Sequence, residues 1–244
     1  MSDAELAAEL ARDAGRLLLA LREAGEYEGR ALGDAGDAAA NRLLIAALRA
    51  HRPDDGMLSE ESRDDGIRHE RSRVWIIDPV DGTREYAEGR ADWAVHVALA
   101  IDGVAAIGAV ALPGLDVVLR SDQPGALPSV AMPPRMVVSR TRPAAEALAV
   151  AEALGAELLP MGSAGAKAMA IVRGEADIYL HSGGQYEWDS CAPVAVARAH
   201  GLHCSRIDGS PLVYNRADVY LPDLLICHPT LAARTLELIA KISD

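Results

Sequence analysis

Phenylalanine is absent from the 244 residues, and lysine occurs only twice, as Lys167 and Lys241. Arginine carries nearly all the positive charge and alanine is abundant, which reads as coding bias rather than chemistry. Bases are also outnumbered: 24 against 36 acids, a formal charge of -12. Such a surface repels nucleic acid polymers and anionic membrane. It also repels a phosphorylated metabolite, unless bound cations reverse the local field. Cysteine occurs only at Cys191, Cys204 and Cys227, with no C-x-x-C, so neither a zinc ribbon nor a redox pair is indicated. Free thiols in a reducing compartment are expected. No apolar run approaches membrane-spanning length, and no leader pattern opens the chain, so a soluble cytoplasmic protein is expected. Neither G-x-x-x-x-G-K-[ST] nor G-x-G-x-x-G is present, which removes the P-loop and Rossmann readings.

What is present is an ordered set of elements. Residues 3–24 carry Leu6, Leu10, Ala14, Leu17, Leu18 and Leu21 at helical spacing, with Ser2 or Asp3 as cap. A second helix is predicted over 37–50, and the Gly- and acid-rich "GEYEGRALGDAG" before it reads as a mobile loop. Strands are predicted near Met57-Leu58 and over Val74–Ile77. Residues 93–120 then read as an antiparallel meander turned at Asp102-Gly103 and Pro113-Gly114. Residues 121–135, rich in proline, suggest a boundary between an N-terminal α+β half, 1–125, and a C-terminal α/β half, 126–244. Beyond it, strands and helices alternate, as in helices packed over a sheet. Asp54-Asp55 and Asp64-Asp65 read as solvated turns.

The segment "VWIIDPVDGT" raises the chemical question. An apolar strand leads straight into Asp78, Pro79 and Asp81. Pro79 closes the helical option for Asp78, and Gly82 lets the chain curl. Two carboxylates and the Val80 carbonyl then converge at a strand end, a hard oxygen set suited to magnesium. The Gly82 and Thr83 amides, at a helix start, can face an anion. The D-x-x-D spacing lacks the nucleophile position of a phospho-aspartate D-x-D loop, and the acids of an EF-hand are missing. Alone, this motif is a common turn. Two others accompany it: "LSEES" places Glu60 and Glu61 after another strand, and "YEWDSCAP" places Asp189 at the start of an alanine-rich helix. Ser163 lies in G-S-A-G rather than G-x-S-x-G, and Cys191 has no evident histidine, so nucleophilic hydrolase chemistry is not indicated. His96 and His181 sit in strand-like runs and read as core histidines.

"SEES", "WIIDPVDGT" and "WDSCAP", in that order over nearly the whole chain, resemble the inositol monophosphatase-like family of lithium-sensitive sugar and nucleotide phosphatases. The resemblance implies a layered αβαβα sandwich, a cytoplasmic homodimer, and two or three Mg2+ ions. It implies metal ligation by Glu60, Asp78, Asp81, Asp189 and the Val80 carbonyl, with Thr83 and Glu60 activating the attacking water. Asp37 matches an acid near the family's lid and a third cation. The lid itself departs from the family pattern: "RALGDAGDAAAN" has neither its lysine nor its Pro-Val-Thr, and Arg30 is the nearby base. "DGTREY", "VSRTRP" and "DGSPLVYN" look like the 3′(2′),5′-bisphosphate nucleotidase branch, which acts on adenosine 3′,5′-bisphosphate. On that reading Gly82, Thr83, Arg84, Arg140, Gly162, Ser163, Lys167 and Glu187 contact substrate. An inositol-1-phosphatase, or a broad sugar phosphatase that includes fructose-1,6-bisphosphate, is the nearest rival; a non-catalytic member would be expected to have lost a metal acid or Thr83.

Overall fold

Ser2 caps the first helix as its sequence predicts. Its Oγ accepts the Glu5 amide at 3.2 Å, and the Glu5 carboxylate accepts the Ser2 amide at 2.8 Å. In the computed structural model, which describes residues 1–243, helix α1 runs Asp3–Ala24 and stops at left-handed Gly25. Helix α2 runs Gly29–His51, so the predicted loop over its first turns is corrected to helix. The reason is tertiary. A Cβ on Gly33 would stand 2.7 Å from Thr83 Cγ2, and one on Gly36 would stand 2.8 Å from Tyr86 Cε1. These glycines let α2 close against the segment that follows Asp81, and packing overrides their weak helix propensity.

The first sheet holds β1 (Gly56–Ser59), β2 (Arg73–Asp81), β3 (Ala94–Ile101), β4 (Val104–Leu112) and β5 (Val117–Arg120), in that order. β1 pairs with β2 in parallel and the rest form the predicted meander. Strand alternation sorts the side chains. Trp75, Ile77, Val95, Val97 and Leu99 pack under α1 and α2, while Val74, Ile76, Ala98 and Val110 face the interior of the molecule. A short helix, α3 (Thr83–Ala87), leaves β2 through Gly82. Asp55 is no solvated turn: it accepts from the Arg73 guanidinium and from Trp75 Nε1 at 2.9 Å. Asp64 is the exposed turn acid expected, accepting the Gly66 amide at 2.9 Å, and it also pairs with buried Arg68 at 2.9 Å.

The second sheet has the order β7-β6-β8-β10-β9. Its strands are β6 (Arg135–Ser139), β7 (Glu157–Met161), β8 (Ile178–Tyr186), β9 (His203–Ser205) and β10 (Tyr220–Cys227). Helices α4 (Ala145–Leu154) and α7 (Pro229–Ser243) cover its outer face through Val150, Ala151, Leu238 and Ile239. Helices α5 (Ala164–Val172) and α6 (Glu187–Ala199) lie between the sheets. That middle position explains why all of α5 and most of α6 are buried. The result is the αβαβα sandwich that the resemblance implies. Parallel β6, β7 and β8 deliver their C-terminal ends, and the starts of α5 and α6, to the end of β2. Convergence of strand ends and helix starts at such a crevice is where layered α/β folds place ligands. Among the described residues no helix is long and apolar enough to cross a membrane.

Candidate metal centre

The ladder between β2 and β3 shifts between Asp78 and Asp81. This irregularity turns both carboxylates to one side of the strand end, as bulges do. Asp78 is buried and, among the described residues, accepts only the Val80 amide, at 3.1 Å. Asp189 arrives from the first turn of α6, where its carboxylate accepts the Tyr186 amide at 2.6 Å. Oxygens of Asp78, Asp81 and Asp189 all lie within 4.8 Å of one another. Glu60 is delivered by register: Ser59 pairs with Ile77, and the Glu60 amide donates to the Ile77 carbonyl at 3.3 Å. Asp37, on α2, is buried, its Oδ1 without a partner among the described residues, and nearby Thr83 donates its hydroxyl to the Val80 carbonyl at 3.0 Å.

Acids this close oppose one another's ionisation. Burial, then Asp81, Glu60, Asp189 and Asp37, push Asp78 well above the usual carboxylate range. Burial and Asp189 raise Glu60 to about 7, and burial and Asp81 raise Asp189 to about 6. Burial and Glu61 raise Asp37 to about 7, although nearby Thr83 favours its anion. Asp81 is the exception. Burial would raise it too, but His96, Ser163 Oγ and the Gly165 amide hold it down at about 2. Its carboxylate receives Ser163 Oγ and the Gly165 amide at 2.5 Å, and the Ala164 amide at 3.1 Å. These donors form the start of α5, so the helix macrodipole reinforces the anion.

The structure gathers Glu60, Asp78, Asp81, Asp189, Val80, Thr83 and Asp37 at one end of the sandwich. Other expected contacts are directed elsewhere. The Lys167 ammonium is buried and turned back onto the Gly162 and Ser163 carbonyls, so it does not reach outward for a second phosphate. The Gly162 amide is taken by Asp92 at 2.6 Å, and Ser163 serves Asp81 and caps α5. Glu187 is fully buried and accepts the Asn215 and Arg216 amides at 2.6 and 2.8 Å, which latches the 214–216 loop instead of facing a ligand. Arg140 is held by Glu85 and Glu88, and exposed Arg84 by Glu88 at 2.8 Å.

His96 belongs beside the site, although it reads as core. Its Nδ1 bonds the Trp188 carbonyl at 3.0 Å, and Nε2 stands 3.2 Å from Asp81 Oδ2, within ion-pair range but off the line of a hydrogen bond. Burial works against its protonation, and Asp81 outweighs that and raises its pKa. The signal available in sequence was a lone polar residue in "WAVHVALAI", because a buried imidazole needs partners. Gly165 is what permits this packing: a Cβ there would run into His96 Nε2 and come within 2.9 Å of Asp81 Oδ2. Gly165→Ala is expected to lower the melting temperature by about 5 °C or more and to cut activity at least tenfold. Calorimetry and phosphate release on the same preparation check both effects.

The donor set is all oxygen, mostly carboxylate, crowded and short of hydrogen-bond donors except at Asp81. Such a set fits a hard divalent cation such as Mg2+. Residues 3–127 and 130–243 match the inositol monophosphatase family. A 3′-phosphoadenosine 5′-phosphate phosphatase of Mycobacterium leprae is 50% identical, over 99% of this chain and 95% of the relative. The 3′(2′),5′-bisphosphate nucleotidase CysQ of Escherichia coli K12 is 30% identical, over 77% of this chain and 81% of the relative. The crystal structure of CysQ from Bacteroides thetaiotaomicron shares the fold, with TM-score 0.82 and 23% identity over 93% of this chain and 97% of that one. The chain belongs to the inositol monophosphatase family, a family of metal-dependent phosphatases, and within it resembles the bisphosphate nucleotidase branch.

Proposed function

We propose that the protein is a Mg2+-dependent phosphomonoesterase that removes the 3′-phosphate of adenosine 3′,5′-bisphosphate by attack of water. The carrying observation is the convergence of Asp78 and Asp81, at the end of β2, with Asp189, from the start of α6, onto one point. The named activities of the mycobacterial and CysQ relatives support the choice of substrate. Glu60, Asp78, Asp81, Asp189 and the Val80 carbonyl would hold the ions, with Asp37 available to a further one. Bound there, Mg2+ supplies charge for the phosphoryl oxygens and a lowered pKa for the attacking water. Thr83 donates its proton to the Val80 carbonyl, so its oxygen is free to accept one from that water. Glu60, beside that water, takes up the proton as water attacks phosphorus. Asp189 holds the water that returns a proton to the departing ribose oxygen. The products are inorganic phosphate and adenosine 5′-monophosphate.

On this reading, residues 1–125 supply most of the metal ligands and residues 126–244 most of the substrate wall. The reading extends to a cytoplasmic homodimer. The test is phosphate release from adenosine 3′,5′-bisphosphate, inositol 1-phosphate and fructose 1,6-bisphosphate, with Mg2+, and with and without Li+. We expect kcat/KM for the nucleotide to exceed the others by roughly a hundredfold or more. Comparable rates on all three would make the protein a broad sugar phosphatase instead.

A further inference from the structure

The chain has six tyrosines and three tryptophans and no phenylalanine. Trp75, Trp93, Tyr86, Tyr179 and Tyr214 are buried, and Trp188 is half-buried. Only Tyr27, Tyr186 and Tyr220 are exposed, at 43%, 47% and 43%. Two of these three stand together. Tyr186 ends β8 and Tyr220 begins β10, and the two are paired across the strands. Their ring centroids are 6.1 Å apart, edge to face. Trp188 stacks on Tyr186 at 4.9 Å with an interplanar angle of 13°. The Tyr186 ring is therefore fixed from two directions while nearly half its residue surface meets solvent.

This cluster is rooted in the metal centre. The Tyr186 amide donates to Asp189, and the Trp188 carbonyl accepts from His96, which faces Asp81. Tyr186 thus begins one backbone contact from a proposed metal carboxylate, and its ring lies within one side-chain length of it. The chain also makes room for the cluster. Gly184 has φ +87°, and a Cβ there would collide with the Tyr220 ring, 2.6 Å from Cε2. Gly183, beside it, also has a positive φ.

We propose that the Tyr186 ring, held by Trp188 and Tyr220, is the stacking surface for the purine base of the nucleoside bisphosphate; this rests on the phosphatase reading above. The scissile 3′-phosphate and the base are separated by one ribose, a span that suits a ring rooted beside Asp189. A flat, uncharged face binds a base without adding to the negative field of the cluster. An inositol ring has no π-face to offer it. Base–aromatic stacking is sequence-tolerant and draws its strength from a rigid partner. The platform accordingly selects a nucleotide over a sugar phosphate. It also acts where Lys167, Arg140 and Arg84, each occupied by protein groups, do not.

The test compares wild type with Tyr186→Ala, Tyr186→Phe and Tyr220→Ala, each loaded with Mg2+. The readout is kcat/KM for adenosine 3′,5′-bisphosphate divided by kcat/KM for a base-free ester, inositol 1-phosphate. Tyr186→Ala is expected to lower this ratio roughly tenfold or more, mainly through KM for the nucleotide, with a smaller drop for Tyr220→Ala. Tyr186→Phe, which keeps the ring, should retain the wild-type ratio. Inhibition by adenosine 5′-monophosphate should weaken in parallel in Tyr186→Ala, with inhibition by inorganic phosphate less affected. If wild type hydrolyses the nucleotide and Tyr186→Ala leaves the ratio and the inhibition intact, the platform is overturned and the phosphatase reading stands. Equal losses on both esters also overturn it, because the ring would then serve Asp189 alone. A wild-type protein that hydrolyses inositol 1-phosphate but no nucleotide overturns the substrate reading and the platform together.

Discussion

Replacing Asp78 by asparagine is expected to cut phosphate release about a thousandfold or more, yet to raise the melting temperature of the metal-free protein. The two effects share one cause. Asp78 is buried among four other acids, and its only hydrogen bond among the described residues is from the Val80 amide. An asparagine Oδ1 keeps that bond and carries no charge, which removes the cost of an acid that the metal-free fold must either ionise against its neighbours or keep protonated. About 1 kcal/mol of relief raises the melting temperature of a chain this size by roughly 2–4 °C. Asp81→Asn should be equally inactive but less stable. Both Asp81 oxygens are occupied by donors from Ser163, Ala164 and Gly165, with His96 beside them. An asparagine amide turns a donor towards donors and leaves at least one buried N–H or O–H without an acceptor, at a cost of about 1–3 kcal/mol. Calorimetry in chelator, paired with phosphate release in Mg2+, separates the two variants. A melting temperature that moves the same way in both would contradict the division between a repelled Asp78 and a satisfied Asp81.

That division was not legible in the sequence, and the reason is physical. The alternation of 74–77 and 94–111 shows which residues face the two cores, because a strand's period is local information. The turn after Ile77 follows from Pro79 and Gly82 alone. Which donor reaches which carboxylate depends on residues more than eighty positions away, such as Ser163 for Asp81. Glu187 and Lys167 show the same limit. Each stands next to a motif and is polar, and polar residues near a site invite a ligand role. The fold instead uses them to satisfy backbone groups: amides at 215–216 for Glu187, carbonyls at 162–163 for Lys167. The start of α2 was hidden for the opposite reason. Three glycines in eight residues argue against a helix locally, and only the closeness of Thr83 and Tyr86 explains why two of them are needed. Tyr186 was invisible as a platform because Tyr220 becomes its neighbour only when β8 pairs with β10, and Trp188 stacks on it only once the chain turns into α6.

Between pH 5 and pH 8 the metal-free protein should lose stability, and Mg2+ should restore it most at the alkaline end. Carboxyls in an unfolded chain titrate near 4. In the folded protein Asp37 and Glu60 titrate at about 7 and Asp189 at about 6, with Asp78 also raised. Through this window the folded state therefore binds more protons than the unfolded one, and stability falls as pH rises. Asp81 has the opposite sign: depressed to about 2, it contributes stability that disappears only in acid, so it does not blunt the trend. These acids share protons, so their shifts do not add in full. A loss on the order of a few kcal/mol, or roughly 10 °C in melting temperature, is expected. A cation needs the carboxylates ionised, so its binding releases protons and strengthens with pH. At a hundredfold excess over its Kd, Mg2+ adds about 2.7 kcal/mol. Its effect on the melting temperature should accordingly be several degrees at pH 8 and much smaller at pH 5.5, and should shrink in Asp78→Asn. A metal-free melting temperature that rises from pH 5 to pH 8, or a Mg2+ shift indifferent to pH, is incompatible with acids that cage a cation.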